Sequence, residues 1–256
     1  MGTTLFVGKV ITAVGAGALT VGLALSSAGV WKASDEAVLL LSLIAAVVAF
    51  LSSAGAAWAD YRGRRKKQLE AHVTTHVRAA FWNVYDVSKG QISPKDLGIA
   101  VYLLAWDHPR LRSCRPYWRP RRLQRLHRER PRHHNESTGL IWRPGKGVIG
   151  ACVAQSGISY TDVGGDWQPH VGATRSEWDA LEHKLTQGLS YAEFRSLVDG
   201  GKRLGVVIAS PILKDGRAVG CVSVDGPTGP VAYELLCGQQ VKDHLADTAI
   251  AIGMLL

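Results

Sequence analysis

Apolar residues dominate the first sixty positions, and periodic patterns take over after them. Two apolar segments run from about Val10 to Trp31 and from about Ala37 to Ala59, separated only by Lys32 to Glu36. As a helix rising about 1.5 Å per residue, each segment would cover roughly 30 Å, the hydrocarbon thickness of a bilayer. The pattern predicts a two-helix transmembrane hairpin over residues 1–60. Small residues four apart, such as Ala18 and Gly22 or Ala45 and Ala49, suit close packing within the hairpin or between hairpins.

A basic juxtamembrane linker over residues 61–67 carries Arg62, Arg64, Arg65, Lys66 and Lys67. Cations flanking a span are retained on the inner side, where an anionic leaflet attracts them. The expectation is a two-span, multi-pass protein of the cell membrane, with the linker on the membrane surface and residues 68–256 in the cytoplasm. A cleaved signal peptide is the rival for the first segment. Its leader region has only Lys9, and its apolar run is longer than usual.

Residues 66–87 read as an amphipathic helix, since Leu69, Val73, Val77, Phe81 and Val84 share one face. Leu97 to Trp106 reads as a buried strand. Arg121 to Arg130 suits an edge strand protected by charge. Residues from Gly139 read as a strand entering a glycine-rich turn, with a short helix from Val148 to about Gln155. Thr174 to Glu177 and Ser190 to Glu193 are capping boxes. The first opens a helix presenting Trp178, Leu181 and Leu185; the second opens one presenting Phe194, Leu197 and Val198. Two apolar runs, Leu204 to Pro211 and Ala218 to Val224, flank Asp215 and Gly216, a strong hairpin signal. Pro230 suits the first turn of a closing helix, along which Val241, Leu245, Thr248, Ile252 and Leu255 form a stripe. That stripe would pack on the 66–87 helix or on its copy in a second chain. The order implies an α+β domain: an antiparallel sheet with long helices on one face and shorter elements on the other.

Charge adds a second layer. The chain of 256 residues has a net charge of +9, and all of it lies beyond residue 59. A basic domain beside an anionic membrane needs no further partner to explain its charge. Residues 108–134 hold ten arginines and four histidines against one acid, Glu129. They read as a solvated edge, a lipid contact or a nucleic-acid contact, with Tyr117 and Trp118 available for base stacking. A membrane tether and the lack of a known nucleic-acid motif disfavour the last. Cys114, Cys152, Cys221 and Cys237 show no metal spacing and read as free thiols. His133, His134 and Glu136 do not bring three metal ligands together.

Three stretches resemble the GAF-domain family. They are Gly145, Gly147 and Gly150 followed by Tyr160 to Val163, then Val206 to Leu213, then Asp215 to Asp225. The likeness covers about residues 66–256, and its pairing with two spans is similar to membrane-bound GAF proteins of bacteria. The resemblance implies a GAF-like sheet flanked by helices that senses, dimerises or binds a small ligand. It implies a pocket between the sheet and the short helices, including Trp142, Tyr160, Trp178, Phe194 and Ser223. Arg143 and Lys146 could meet an anionic ligand there. No cofactor is implied.

One GAF branch, free methionine-(R)-sulfoxide reductase, is enzymatic. It places a cysteine where Ile149 stands here and another after a histidine in the following loop, whereas past His170 the chain reads Val171, Gly172, Ala173 and Thr174, with no cysteine. No catalytic residue is therefore assigned, and Cys152 and Cys221 read as small buried hydrophobes. The function expected is a membrane-anchored sensory and dimerisation module for an unknown small molecule, acting as a homo-oligomer in signal transduction. No output domain follows Asp225 before Leu256, so the output is expected in a partner or in the membrane segment. The alternatives are an effector that perturbs the membrane through its spans and, less favoured, the thiol-dependent reductase.

Overall fold

The computed structural model describes residues 35–105, 122–131, 139–199 and 205–256. The chain divides into two units, Met1–Gln68 and Leu69–Leu256.

In the first unit the described residues belong to helix α1, Asp35–Val87, which continues into the second. Among the described residues no helix is long and apolar enough to cross a membrane. This overturns the transmembrane hairpin and, with it, the two-span placement in a cell membrane. The reason lies in composition. Twelve of the twenty-three residues from Ala37 to Ala59 are Ala, Ser or Gly, which gain little from hydrocarbon. The Ser52 and Ser53 hydroxyls donate back to the carbonyls of Val48 and Ala49. The other apolar segment, Val10 to Trp31, lies outside the described residues.

Among the described residues, the second unit is an α+β domain around a five-stranded antiparallel sheet of order β2-β1-β5-β4-β3. The strands are β1 Gly98–Ala105, β2 Arg122–Glu129, β3 Ser159–Asp162, β4 Val206–Lys214 and β5 Arg217–Asp225. The arginine-bearing β2 is an edge strand, as its charge pattern requires. Asp215 and Gly216 turn between β4 and β5 with φ of 52° and 72°, the positive pair that a two-residue hairpin demands. The expected strand after Gly139 does not form. Leu123 N–H donates to the Trp142 carbonyl at 2.8 Å, but no ladder follows, and Pro144 has no N–H to extend one. The third strand is β3 instead, paired along β4.

Alternation in the strands splits the core in two. Ile99, Val101, Val206, Ile208, Ile212, Val222 and Val224 face the long helices. There they meet Val73, Val77, Phe81 and Val84 of α1 and Val241, Leu245 and Ile252 of the last helix, Gln239–Leu255. Each fully buried side chain of this size contributes about 1.5–3 kcal/mol. Gly253 lets that helix approach β4, since a Cβ there would lie 2.7 Å from the Leu213 carbonyl oxygen.

The opposite face carries Ala209 and Cys221, covered by short helices. These are α2 Gly147–Gln155, α3 Val163–Trp167, α4 Arg175–Asp179, α5 His183–Thr186 and α6 Tyr191–Asp199, then α7 Pro230–Leu236 and α8 Gln239–Leu255 complete the chain. Both capping boxes are present. Thr174 and Glu177 exchange backbone-to-side-chain bonds of 2.7 and 3.4 Å, and Ser190 and Glu193 exchange bonds of 3.1 and 3.4 Å. The helix expected to carry Trp178, Leu181 and Leu185 is broken into α4 and α5. The break brings the Leu185 carbonyl to the Trp167 indole N–H at 2.7 Å.

Candidate ligand-binding face

The short-helix face is built on the glycine turn before α2. Gly145 and Gly147 adopt φ of 84° and 63°, which L side chains rarely tolerate. Trp142 lies across Gly147, where a Cβ would come 2.6 Å from its ring. Gly150 closes the turn, with its carbonyl accepting from Gly145 N–H at 2.8 Å. The turn is tied to the segment after α5 by Gly147 N–H donating to the Gln187 carbonyl at 2.8 Å.

Of the five expected pocket residues, two form one cluster. Trp178 and Phe194 are buried and stack at 3.8 Å with planes 14° apart. Trp167 meets them edge-on at 5.8 and 5.5 Å. The Trp178 indole donates to the Leu189 carbonyl at 3.1 Å, so its polar edge is satisfied inside the protein. Trp142 is partly buried against the same cluster. Ser223 is 4% exposed on β5 and shares the short-helix face with Cys221. Tyr160 is elsewhere. It pairs with Ile208, whose side chain belongs to the long-helix core, and stands 42% exposed. Its ring lies 6.3 Å from Tyr233, with the Lys242 ammonium 4.2 Å from its centroid. Of the five cations expected at a membrane surface, all lie on α1. Arg64, Arg65 and Lys67 are exposed, and Arg62 and Lys66 share that helix.

A polar cluster that the sequence reading missed occupies the β2–β1–β5 end of this face. Arg128 pairs with Ala100, which pairs with Ser223, so all three point to the short-helix side. Asp225 lies opposite Gly98, where a Cβ would come 2.7 Å from its Oδ1. The missing side chain lets the carboxylate lie over the start of β1. Arg130 donates to Asp225 Oδ2 at 2.5 Å, and Arg128 reaches both carboxylate oxygens at 3.2 and 3.3 Å. Among the described residues, the Nε atoms of both arginines are buried without an acceptor. Tyr102 is beside them; burial pushes its hydroxyl pKa up, while Arg128 pulls against that shift. The two-residue spacing of Arg128 and Arg130 at the end of an edge strand was the available signal.

A separate open cleft of about 500 Å³ lies between residues 139–146 and α6. Arg143, Lys146, Glu193 and Ser196 line it. Lys146 is committed to Glu193 at 2.6 Å. Burial would raise the Glu193 pKa, but bonds from Lys146 and Ser190 hold it below the usual range.

Asp162 is structural. Its carboxylate accepts from Gly165 N–H at 3.0 Å, Gly229 N–H at 2.9 Å and the Thr228 hydroxyl at 2.8 Å. Burial opposes ionisation, yet these donors hold its pKa below the usual value.

The structure also places Cys152 and Cys221 together, which their sequence separation concealed. Both are fully buried. A hydrogen bond with Cys152 and burial push the Cys221 thiol pKa well up. Burial also lifts Cys237, to about 11. Among the described residues no three potential metal ligands cluster. Cys114, Tyr117, Trp118, His133, His134 and Glu136 lie outside the described residues.

No protein-family model matches the chain, and no curated protein matches it either. Solved structures do. The type II free methionine-R-sulfoxide reductase from Thermoplasma acidophilum is 12% identical, over 73% of this chain and 94% of that one, with a TM-score of 0.41. The GAF domain from Acinetobacter phosphoenolpyruvate-protein phosphotransferase is 9% identical, over 76% and 92%, with a TM-score of 0.38. The free methionine-R-sulfoxide reductase from Neisseria meningitidis is 17% identical, over 75% and 89%, with a TM-score of 0.34.

Proposed function

We propose that residues 69–256 form a GAF-like sensory module that binds a small molecule on the short-helix face of its sheet. The observation that carries this reading is the polar cluster at one end of that face. Tyr102, Arg128 and Asp225 lie on the same side of the sheet as the buried aromatic cluster. A few convergent polar groups beside an apolar wall are what a small-molecule site requires. Two buried guanidinium Nε–H groups without acceptors among the described residues are costly in a site that stays empty. In this reading Trp178 and Phe194 hold the wall in place, and Ser223 lies along the floor. Cys152 and Cys221 serve as packing groups, because a thiol with a raised pKa and no exposure is a poor nucleophile.

Ligand occupancy would be transmitted through the sheet to α8 and the Leu69–Val87 part of α1, which share the opposite core. A second copy of the chain is the partner expected to read that change.

The test is a thermal-shift panel on the full chain with nucleotides, amino acids and their sulfoxides, and aromatic carboxylates. A ligand at about 100 times its dissociation constant should add roughly 2.7 kcal/mol. A saturable shift with one class is the expected result. A cooperative melt that no class moves would overturn the reading.

A further inference from the structure

We propose that Arg128 and Arg130 form a seat for an anionic group, so that the small molecule bound on this face carries a carboxylate or another oxyanion. The proposal rests on the ligand-binding reading above and names the chemistry of that same site.

A guanidinium holds five N–H donors in a planar fork matched to two oxygens of one anion. Among the described residues, neither arginine is used in that way. Arg128 meets Asp225 through one terminal nitrogen, at long distances of 3.2 and 3.3 Å. Arg130 meets it through one terminal nitrogen as well. The two Nε–H groups are buried and lack acceptors among the described residues. One carboxylate between two guanidinium groups leaves an excess positive charge. The side chains are only 15% and 23% exposed, so water screens that charge incompletely. A second anion would supply the missing acceptors and balance the charge together.

The arrangement is built into the fold rather than borne on a mobile surface. Arg128 is in register with Ala100, and Asp225 is packed against the bare backbone of Gly98. Asp225 then acts as a resident anion that competes with a ligand anion for both guanidinium groups. Tyr102, on the same face, is placed to donate its hydroxyl to the incoming group.

The test titrates the full chain with inorganic phosphate, and separately with acetate, against chloride at fixed ionic strength, reading the melting temperature. We expect a saturable rise for at least one anion. Arg128→Gln should weaken it at least tenfold, and Arg128→Lys should fall between. Arg175→Gln, at an exposed site on α4, should leave it unchanged. Asp225→Asn separates this proposal from a purely structural triad. Removing the resident carboxylate should tighten anion binding several-fold, even if the protein melts lower. Equal responses in wild type and Arg128→Gln, or weaker binding in Asp225→Asn, would overturn the proposal. If neither anion binds while the organic panel yields a neutral ligand unaffected by Arg128→Gln, the anion seat fails and the ligand-binding reading stands. If the anion pattern appears and no organic compound binds, the seat stands and that reading fails.

Discussion

The rings of Trp178 and Phe194 lie 3.8 Å apart and almost parallel, although sixteen positions separate them in sequence. The contact joins α4 to α6 and fixes the short-helix lobe as one packed layer over the sheet. Phe194→Ala should therefore remove both the stack and the edge contact with Trp167. A cost of about 3–5 kcal/mol is expected, read from the midpoint of denaturant unfolding. A loss under about 1 kcal/mol would mean that the layer does not depend on this stack.

The glycine turn makes a sharper demand. A Cβ on Gly150 would lie 2.2 Å from the Arg143 carbonyl oxygen, well inside van der Waals contact, with backbone rather than a flexible tip in the way. Gly150→Ala should destabilise the domain by about 1–3 kcal/mol. Gly63→Ala meets nothing within 4 Å in a helix and should be neutral or stabilising by up to about 1 kcal/mol. Equal melting temperatures for the two variants would contradict the turn geometry.

Much of this architecture was readable from the chain, and the failures have physical causes. The stripe Val73, Val77, Phe81 and Val84 reported its own burial, because a helix face is local information. Asp215 and Gly216 announced the hairpin for the same reason. The strand after Gly139 failed because pairing is not local, and Pro144 offers nothing to a ladder. The transmembrane reading took the Ala, Ser and Gly positions of the second segment as packing sites within a bilayer, where they equally weaken its apolar character. At the site, Tyr160 went to the far face because a strand's facing depends on its register with β4. Arg128 and Asp225 are 97 positions apart, and only strand order brings them together.

Asp162 gives a pH prediction whose sign is fixed. Its folded pKa lies below the unfolded one, so its contribution is fully present above the ordinary aspartate value of about 4. It is lost as pH falls through the lower, folded value. Asp162→Asn should lower stability at neutral pH and flatten the acid limb of a stability-against-pH curve. An unchanged acid limb would show that the cap over Gly165 and Gly229 does not hold these loops.

The buried thiols make a kinetic prediction. Cys152 and Cys221 should resist alkylation by iodoacetamide at pH 8 while the protein is folded, and react once it is unfolded in denaturant. Peptide mapping of the labelled chain checks this. Rapid labelling of Cys221 in the native protein would contradict its burial and raised pKa.

The central claim is that the short-helix face of the sheet is where a small molecule binds. Hydrogen exchange on the full chain, with and without the nucleotide, amino-acid and aromatic-carboxylate panel, tests it most directly. We expect one class to slow exchange in β1, in β5 around Ser223 and Asp225, and in α2. A folded chain with no change for any compound, or protection confined to the outer surfaces of α1 and α8, would contradict it.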